Sequence, residues 1–154
     1  EKWVEIVGND PGEMEMWGDF EEKYGGPYGG WRNWFDFMER VKALLPNKKL
    51  GVYTGYYYFQ ENAAGVRYFA QFPLWIAWYN PTEPLVPSIW EDWTYWQFTS
   101  NGDGALFGVE SQDIDLNYFN GTEADFLARY SATPTQATLI ANFGGTLVEY
   151  RRVS

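Results

Sequence analysis

The strongest restriction on the fold is an alternation between short apolar runs and helical patterns. From Trp31 to Leu45 the apolar positions 31, 34, 35, 38, 41 and 45 fall on one helical face, and Pro46-Asn47 stops the helix. Apolar runs of strand length flank it, Met14 to Phe20 before and Leu50 to Thr54 after. The aromatic run Tyr56-Tyr57-Tyr58-Phe59 follows, and Glu61 to Phe72 reads as a short helix weakened by Gly65. Leu74 to Tyr79 is a strongly apolar strand, Asn80 to Ile89 carries three prolines and must be loop, and Thr94 to Thr99 is a further strand. Strand, helix, strand, helix, strand favours a parallel sheet. In α/β folds, barrel or open, the site lies at the C-terminal ends of such strands.

The remaining segments are simpler. Glu1 to Gly8 reads as a helix tail or short strand, followed by the turn cluster Gly8-Asn9-Asp10-Pro11-Gly12. A glycine-rich loop occupies Tyr24 to Gly30. Ser100 to Gly104 reads as a turn and Ala105 to Val109 as a short strand. Asp113 to Phe119 carries carboxylates two residues apart at the edge of an apolar segment, and Thr122-Glu123-Ala124-Asp125 resembles a capping box starting a helix to Tyr130. Ser131 to Ala137 is a small, polar linker, beyond which Thr138–Phe143 and Thr146–Val153, joined by Gly144-Gly145, read as a hairpin.

Composition removes several kinds of chemistry. The 154 residues contain no His and no Cys, so acid–base work falls to Asp, Glu, Lys or Tyr, and Ser-His-Asp, thiolate and zinc-histidine sites are excluded within the chain. A net charge of −10 opposes nucleic-acid binding, which depends on Lys and Arg neutralising phosphates. No apolar run approaches membrane-spanning length. The 9 Trp, 12 Tyr and 11 Phe exceed what a core of this size needs, so some rings are expected to line a groove, where flat amphipathic surfaces suit sugars or protein partners. No cofactor is expected. Asn101, Asp103 and Glu110 do not fit a calcium loop, and no metal site is assigned.

Asp19 and Glu21 stand out. On a strand they share a face and Phe20 takes the other. Paired carboxyls repel, and in a low-dielectric site one is held protonated, the arrangement general acids use. From spacing alone, a solvated strand end explains the pair more simply.

Several stretches together resemble the glycoside hydrolase family 25 lysozymes, the Chalaropsis-type muramidases of bacteria and their phages. They are Asp19-Phe20-Glu21, Leu50-Gly51-Val52-Tyr53-Thr54, Pro73 to Tyr79, Trp93 to Ser100, and Asp113 to Phe119, in the family's order across residues 1 to 130. The resemblance implies a peptidoglycan hydrolase, bacteriolytic and directed at the cell wall or extracellular space, cleaving the β-1,4 bond between N-acetylmuramic acid and N-acetylglucosamine. By position, Glu21 would be the general acid and Asp19 would steer the substrate acetamido group in a substrate-assisted reaction. Asp115 would be the late carboxylate of the site, with Asp113 its local competitor, and Tyr53, Trp75, Trp78 and Trp96 would stand near the sugar groove.

The implied fold is α/β, a partial TIM-like (β/α) barrel with about half the strands, plus a C-terminal β-hairpin. Residues 1–130 form the barrel half, 131–137 a linker, and 138–154 the hairpin or the start of a second module. The family's first strand, with a further active-site Asp, is missing ahead of Asp19. The missing wall would come from a complementary chain, from a second copy, or from a longer protein of which this is a portion; the last is the favoured expectation, because the start falls mid-domain and the end inside a hairpin. The competing reading is a non-catalytic carbohydrate-binding or self-assembling module built on the same scaffold.

Overall fold

The computed structural model describes residues 2–7, 12–22, 29–80, 82–130, 139–143 and 146–150. After the short helix α1 (Lys2–Val7) comes strand β1 (Met16–Phe20), then α2 (Trp31–Leu44), β2 (Leu50–Gly55), α3 (Tyr56–Ala63), a 3-10 turn (Arg67–Gln71), β3 (Leu74–Ala77) and β4 (Tyr95–Asp103). A second 3-10 turn (Gly104–Phe107), β5 (Asp113–Phe119) and α4 (Glu123–Tyr130) follow. Strands β6 (Leu139–Phe143) and β7 (Thr146–Tyr150) pair antiparallel in a separate two-stranded sheet, which matches the hairpin reading; the linker and the Gly144-Gly145 turn lie outside the described residues.

The main sheet runs β1-β2-β3-β4-β5 in chain order, with β1 to β4 parallel and β5 returning antiparallel. Sequential order without a reversal is the progression of a barrel wall rather than of a doubly wound sheet. Phe20, Val52, Leu74 and Ile76 point from one face of the sheet into a core completed by Trp34, Met38 and Val41 of α2 and by Phe59, Ala63 and Phe69. Phe20 is 2% exposed and stacks on Trp34 at 4.3 Å between ring centroids. Gly18 lets α2 approach this closely, because a Cβ there would press on Trp34 and Met38 at 3.3 Å.

Three stretches fold differently from the sequence expectation. The helix expected over Glu61–Phe72 begins earlier, at Tyr56, and breaks in two. Phe59 and Ala63, four residues apart, seat α3 on the core, and Gly65 at φ +72° turns the chain before the 3-10 segment. The turn expected at Ser100–Gly104 is instead the far half of β4, bent by two register shifts and held by β5, with Gly102 leaving room for the Leu116 side chain. The strand expected at Ala105–Val109 is replaced by the 3-10 turn, whose second amide, on Ala105, donates to the Asp103 carboxylate at 3.0 Å. The capping box does form. Thr122 N–H donates to Asp125 Oδ2 at 2.9 Å, and Asp125 N–H donates back to Thr122 Oγ1 at 3.2 Å.

A polar network fastens α4 to the N-terminal end of the parallel strands. Glu15, 7% exposed, pairs with Arg129 at 2.6 Å and accepts the Tyr130 hydroxyl at 2.6 Å, and the Tyr95 hydroxyl donates to Tyr130 at 2.7 Å. Substituting Arg129→Met strips the buried Glu15 of its counter-charge. The variant should lose about 3 kcal/mol of stability, the lower end for breaking a buried pair because Arg129 keeps one side in water. Urea denaturation monitored by tryptophan fluorescence checks this.

Candidate active site

Parallel register decides which side chains meet. Asp19 lies opposite Tyr53, Tyr53 opposite Trp75, Trp75 opposite Tyr95, and Gln97 opposite both Ala77 and Asn117. Laterally paired residues share a face, so these side chains line the face away from the helices. With Phe20 committed to the core, Asp19 and Glu21 emerge on that open face at the C-terminal end of β1, both exposed. The buried Thr54 hydroxyl donates to the Phe20 carbonyl at 2.7 Å and ties down the strand end between the two carboxylates.

Glu21 faces Asp19 and Glu22 on its own segment, the Tyr53 hydroxyl on β2 and Asp115 on β5. Partial loss of water around the carboxyl, then the neighbouring Asp19, push Glu21 above its ordinary value, with Glu22 and Asp115 adding to the rise and hydrogen bonding to Tyr53 opposing it. Asp19 is likewise raised, first by burial and then by Glu22. Tyr53 is strongly raised, by burial and then by Glu21. Glu21, Asp19, Asp115 and Tyr53 thus form one electrostatically coupled group at the C-terminal rim of the sheet.

The other residues singled out in the sequence divide. Trp75 is on the open face, edge-on to Tyr53 at 5.5 Å, with its indole N–H donated to Asn117 at 2.8 Å. Trp78 is partly buried against the core and lines a groove of about 390 Å³ with Gly55, Tyr57, Tyr79 and Asn80 at the C-terminal ends of β2 and β3. Trp96 lines a neighbouring groove with Tyr79, Asn80, Phe98 and Tyr118. It pairs with Ile76 on the opposite face of the sheet, is buried, and donates its indole N–H to the Trp78 carbonyl at 2.7 Å. Asp113 shares the parity of Asp115 but sits against Asp103, about 7 Å further along the strand by the usual rise per residue.

Two members of the site escaped the sequence reading. Gln97, 3% exposed, accepts the Tyr53 hydroxyl at 2.7 Å and the Tyr79 hydroxyl at 3.0 Å. Its signal in the sequence is a lone amide between Trp96 and Phe98, on the parity opposite to both. Gly51 is the second: a Cβ there would collide with the Trp17 ring, so glycine lets Trp17 lie across β2 and reach Trp75, edge-on at 5.5 Å.

These features define an α/β protein with an acidic, aromatic-lined site at the C-terminal rim of a parallel sheet. The chain belongs to the glycosyl hydrolases family 25, whose sequence model matches residues 3–105. It is 33% identical over 98 residues to lysozyme M1 of Streptomyces globisporus, covering 63% of this chain and 32% of that protein. The crystal structure of a bacterial lysozyme from Streptomyces coelicolor superposes with a TM-score of 0.59 at 30% identity, over 73% of this chain and 54% of that one. The Clostridium perfringens spore cortex lytic enzyme SleM gives a TM-score of 0.65 at 27% identity, over 80% of this chain and 44% of that one. The chain therefore spans about a third of the length of the curated relative and about half that of these structures.

The raised carboxyls have a consequence for stability. A carboxyl whose folded value lies above its unfolded one binds its proton more tightly in the native state, so stability falls as pH rises through that interval. Asp19→Asn and Glu21→Gln should each raise the melting temperature slightly at pH 7, the gain being small because water screens both groups. The gain should vanish below the ordinary values of 3.8 for Asp19 and 4.5 for Glu21, where the wild-type carboxyls are protonated in both states. Calorimetry at both pH values reads it.

Proposed function

We propose that the chain carries the acid end of a muramidase site, cleaving the β-1,4 bond between N-acetylmuramic acid and N-acetylglucosamine in peptidoglycan. The observation that carries this reading is the meeting of Glu21, Asp19, Asp115 and Tyr53 at one strand rim, with the Glu21 carboxyl raised. A carboxyl kept protonated toward neutral pH can donate to the glycosidic oxygen as it leaves. In the proposed route the substrate's acetamido oxygen attacks the anomeric carbon, the bond to the leaving oxygen breaks, and Glu21 supplies the proton that oxygen takes up. Asp19 orients the acetamido group and balances the charge it gains. Water then opens the cyclic intermediate, with Glu21 taking its proton back.

The groove walled by Tyr57, Trp78 and Tyr79 offers flat rings on which sugar faces can stack, and suits a glycan strand running past the carboxylates. Such an enzyme acts at the cell wall. Among the described residues no helix is long and apolar enough to cross a membrane. The wall that the longer relatives provide is supplied in this reading by further polypeptide, a second chain or a second copy. The partial span favours one alternative, a carbohydrate-binding or self-assembling module that kept the scaffold without turnover.

The chain, alone or assembled with its missing wall, should release reducing ends from purified peptidoglycan. Glu21→Gln should lower that rate by at least about a hundredfold, the typical contribution of a general acid, with an unchanged circular dichroism spectrum. Lysis by the variant at the wild-type rate would remove Glu21 from the reaction. Binding to peptidoglycan without any released ends would leave the module reading in its place.

A further inference from the structure

Strand β4 outruns the parallel sheet. Its last partner on β3 is Ala77, opposite Gln97, whereas β4 itself continues to Asp103, paired only with β5 among the described strands. Beyond Gln97 the two strands therefore form a two-stranded ribbon, closed by the 3-10 turn whose Leu106 and Phe107 are exposed. Both register shifts of the β4–β5 ladder fall in this ribbon, between Gln97 and Thr99 and between Thr99 and Gly102. Two strands alone are marginally stable, and bulges bend and twist the strand that carries them. The ladder by itself thus sets the tilt of the ribbon loosely. Asp115 stands on β5 opposite the second shift, on the same face as Asn117.

Three side-chain hydrogen bonds cross from the parallel wall to the root of the ribbon. The Gln97 oxygen accepts the hydroxyls of Tyr53 on β2, at 2.7 Å, and of Tyr79, just past β3, at 3.0 Å. Asn117, the residue opposite Gln97 on β5, accepts the indole N–H of Trp75 on β3 at 2.8 Å. Gln97 is 3% exposed, so an oxygen that let go of both tyrosines would stay buried without them, which costs free energy. The other face of the root is held differently. Phe98 and Tyr118 stack there at 4.3 Å, one on each strand, and bind the ribbon's strands to each other rather than to the wall.

We propose that Gln97 and Asn117 are positioning residues whose amides pin the root of this ribbon to the parallel wall and so set where Asp115 stands over the rim. The catalytic meaning rests on the muramidase reading. The pinning does not, and it is measurable without turnover.

The chain has no cysteine, so two introduced thiols take spin labels cleanly. With Asp36→Cys on the exposed side of α2 and Leu106→Cys at the ribbon tip, double electron–electron resonance reads the distance from wall to tip in the full chain. Gln97→Met and Asn117→Leu keep the side-chain bulk and remove the acceptor. Each should broaden the distance distribution about twofold, as expected of a two-stranded ribbon freed at its root. Trp75→Phe, which removes one donor, should broaden it as Asn117→Leu does, whereas Arg129→Met, destabilising at the other end of the strands, should leave it unchanged. An unchanged width in either amide variant would overturn the proposal. So would equal broadening in Arg129→Met, the sign of a general loosening. If Gln97→Met does not fold, Asn117→Leu and Trp75→Phe decide, since the bond they alter lies at the surface. On peptidoglycan, Asn117→Leu should lower kcat about tenfold with KM little changed, the pattern of a misplaced group. Broadened widths without that loss would take Asp115 out of the reaction and leave the pins in place. Should Glu21→Gln lyse walls at the wild-type rate, the muramidase reading would fall while the widths still decided the pinning.

Discussion

The burial of Phe20 governs the site. Its ring is enclosed by Trp34, Tyr58, Phe59 and Phe69, contributed by three different segments, and burying it stabilises the fold by about 2–3 kcal/mol. Strand geometry then allows its neighbours one direction only. Asp19 and Glu21 must leave on the other face, where repulsion between them costs stability that the aromatic core offsets. A slip of β1 by one residue would put a carboxylate among phenyl rings, so the register is held by far more energy than the site itself could supply.

This division explains how much could be read from the sequence. Parity is local, so the shared face of Asp19 and Glu21 and the helical face of Trp31–Leu45 followed from spacing. The strand, helix, strand order gave the parallel sheet for the same reason. What failed depended on contacts between distant segments. The division of Trp96 between the core, through its pairing with Ile76, and a groove beside Tyr79 could not be read from its aromatic character. Asn101-Gly102-Asp103 has turn chemistry, yet β5 returns along it and makes it strand. Asp113 and Asp115 were indistinguishable by parity, and only the position of β5 relative to Glu21 separates them. Gln97 was legible only as a polar residue between two rings, because its role lies in partners 44 and 18 residues away.

The site is polar at its rim and aromatic beneath it. Trp17, Tyr53, Trp75 and Tyr95 touch in edge-on and tilted pairs under the carboxylates. Such rings are stiff, with few rotamers to lose, and they support the groups above them. The Trp75 indole also anchors Asn117 of β5, which fixes the strand that delivers Asp115. The rim therefore rests on a stiff layer of rings beneath it.

The contact between Glu15 and the Arg129–Tyr130 pair has a kinetic side. It joins positions 114 and 115 residues apart, so it closes nearly the whole described body into one loop, and its entropy cost is met only after the strands between have assembled. Helix α4 buries none of its own side chains fully, and this clasp and the rings of Phe126 and Tyr130 are among the contacts that hold it. The clasp thus ties the last helix to the chain just ahead of β1, at the end of the strands opposite the carboxylate rim.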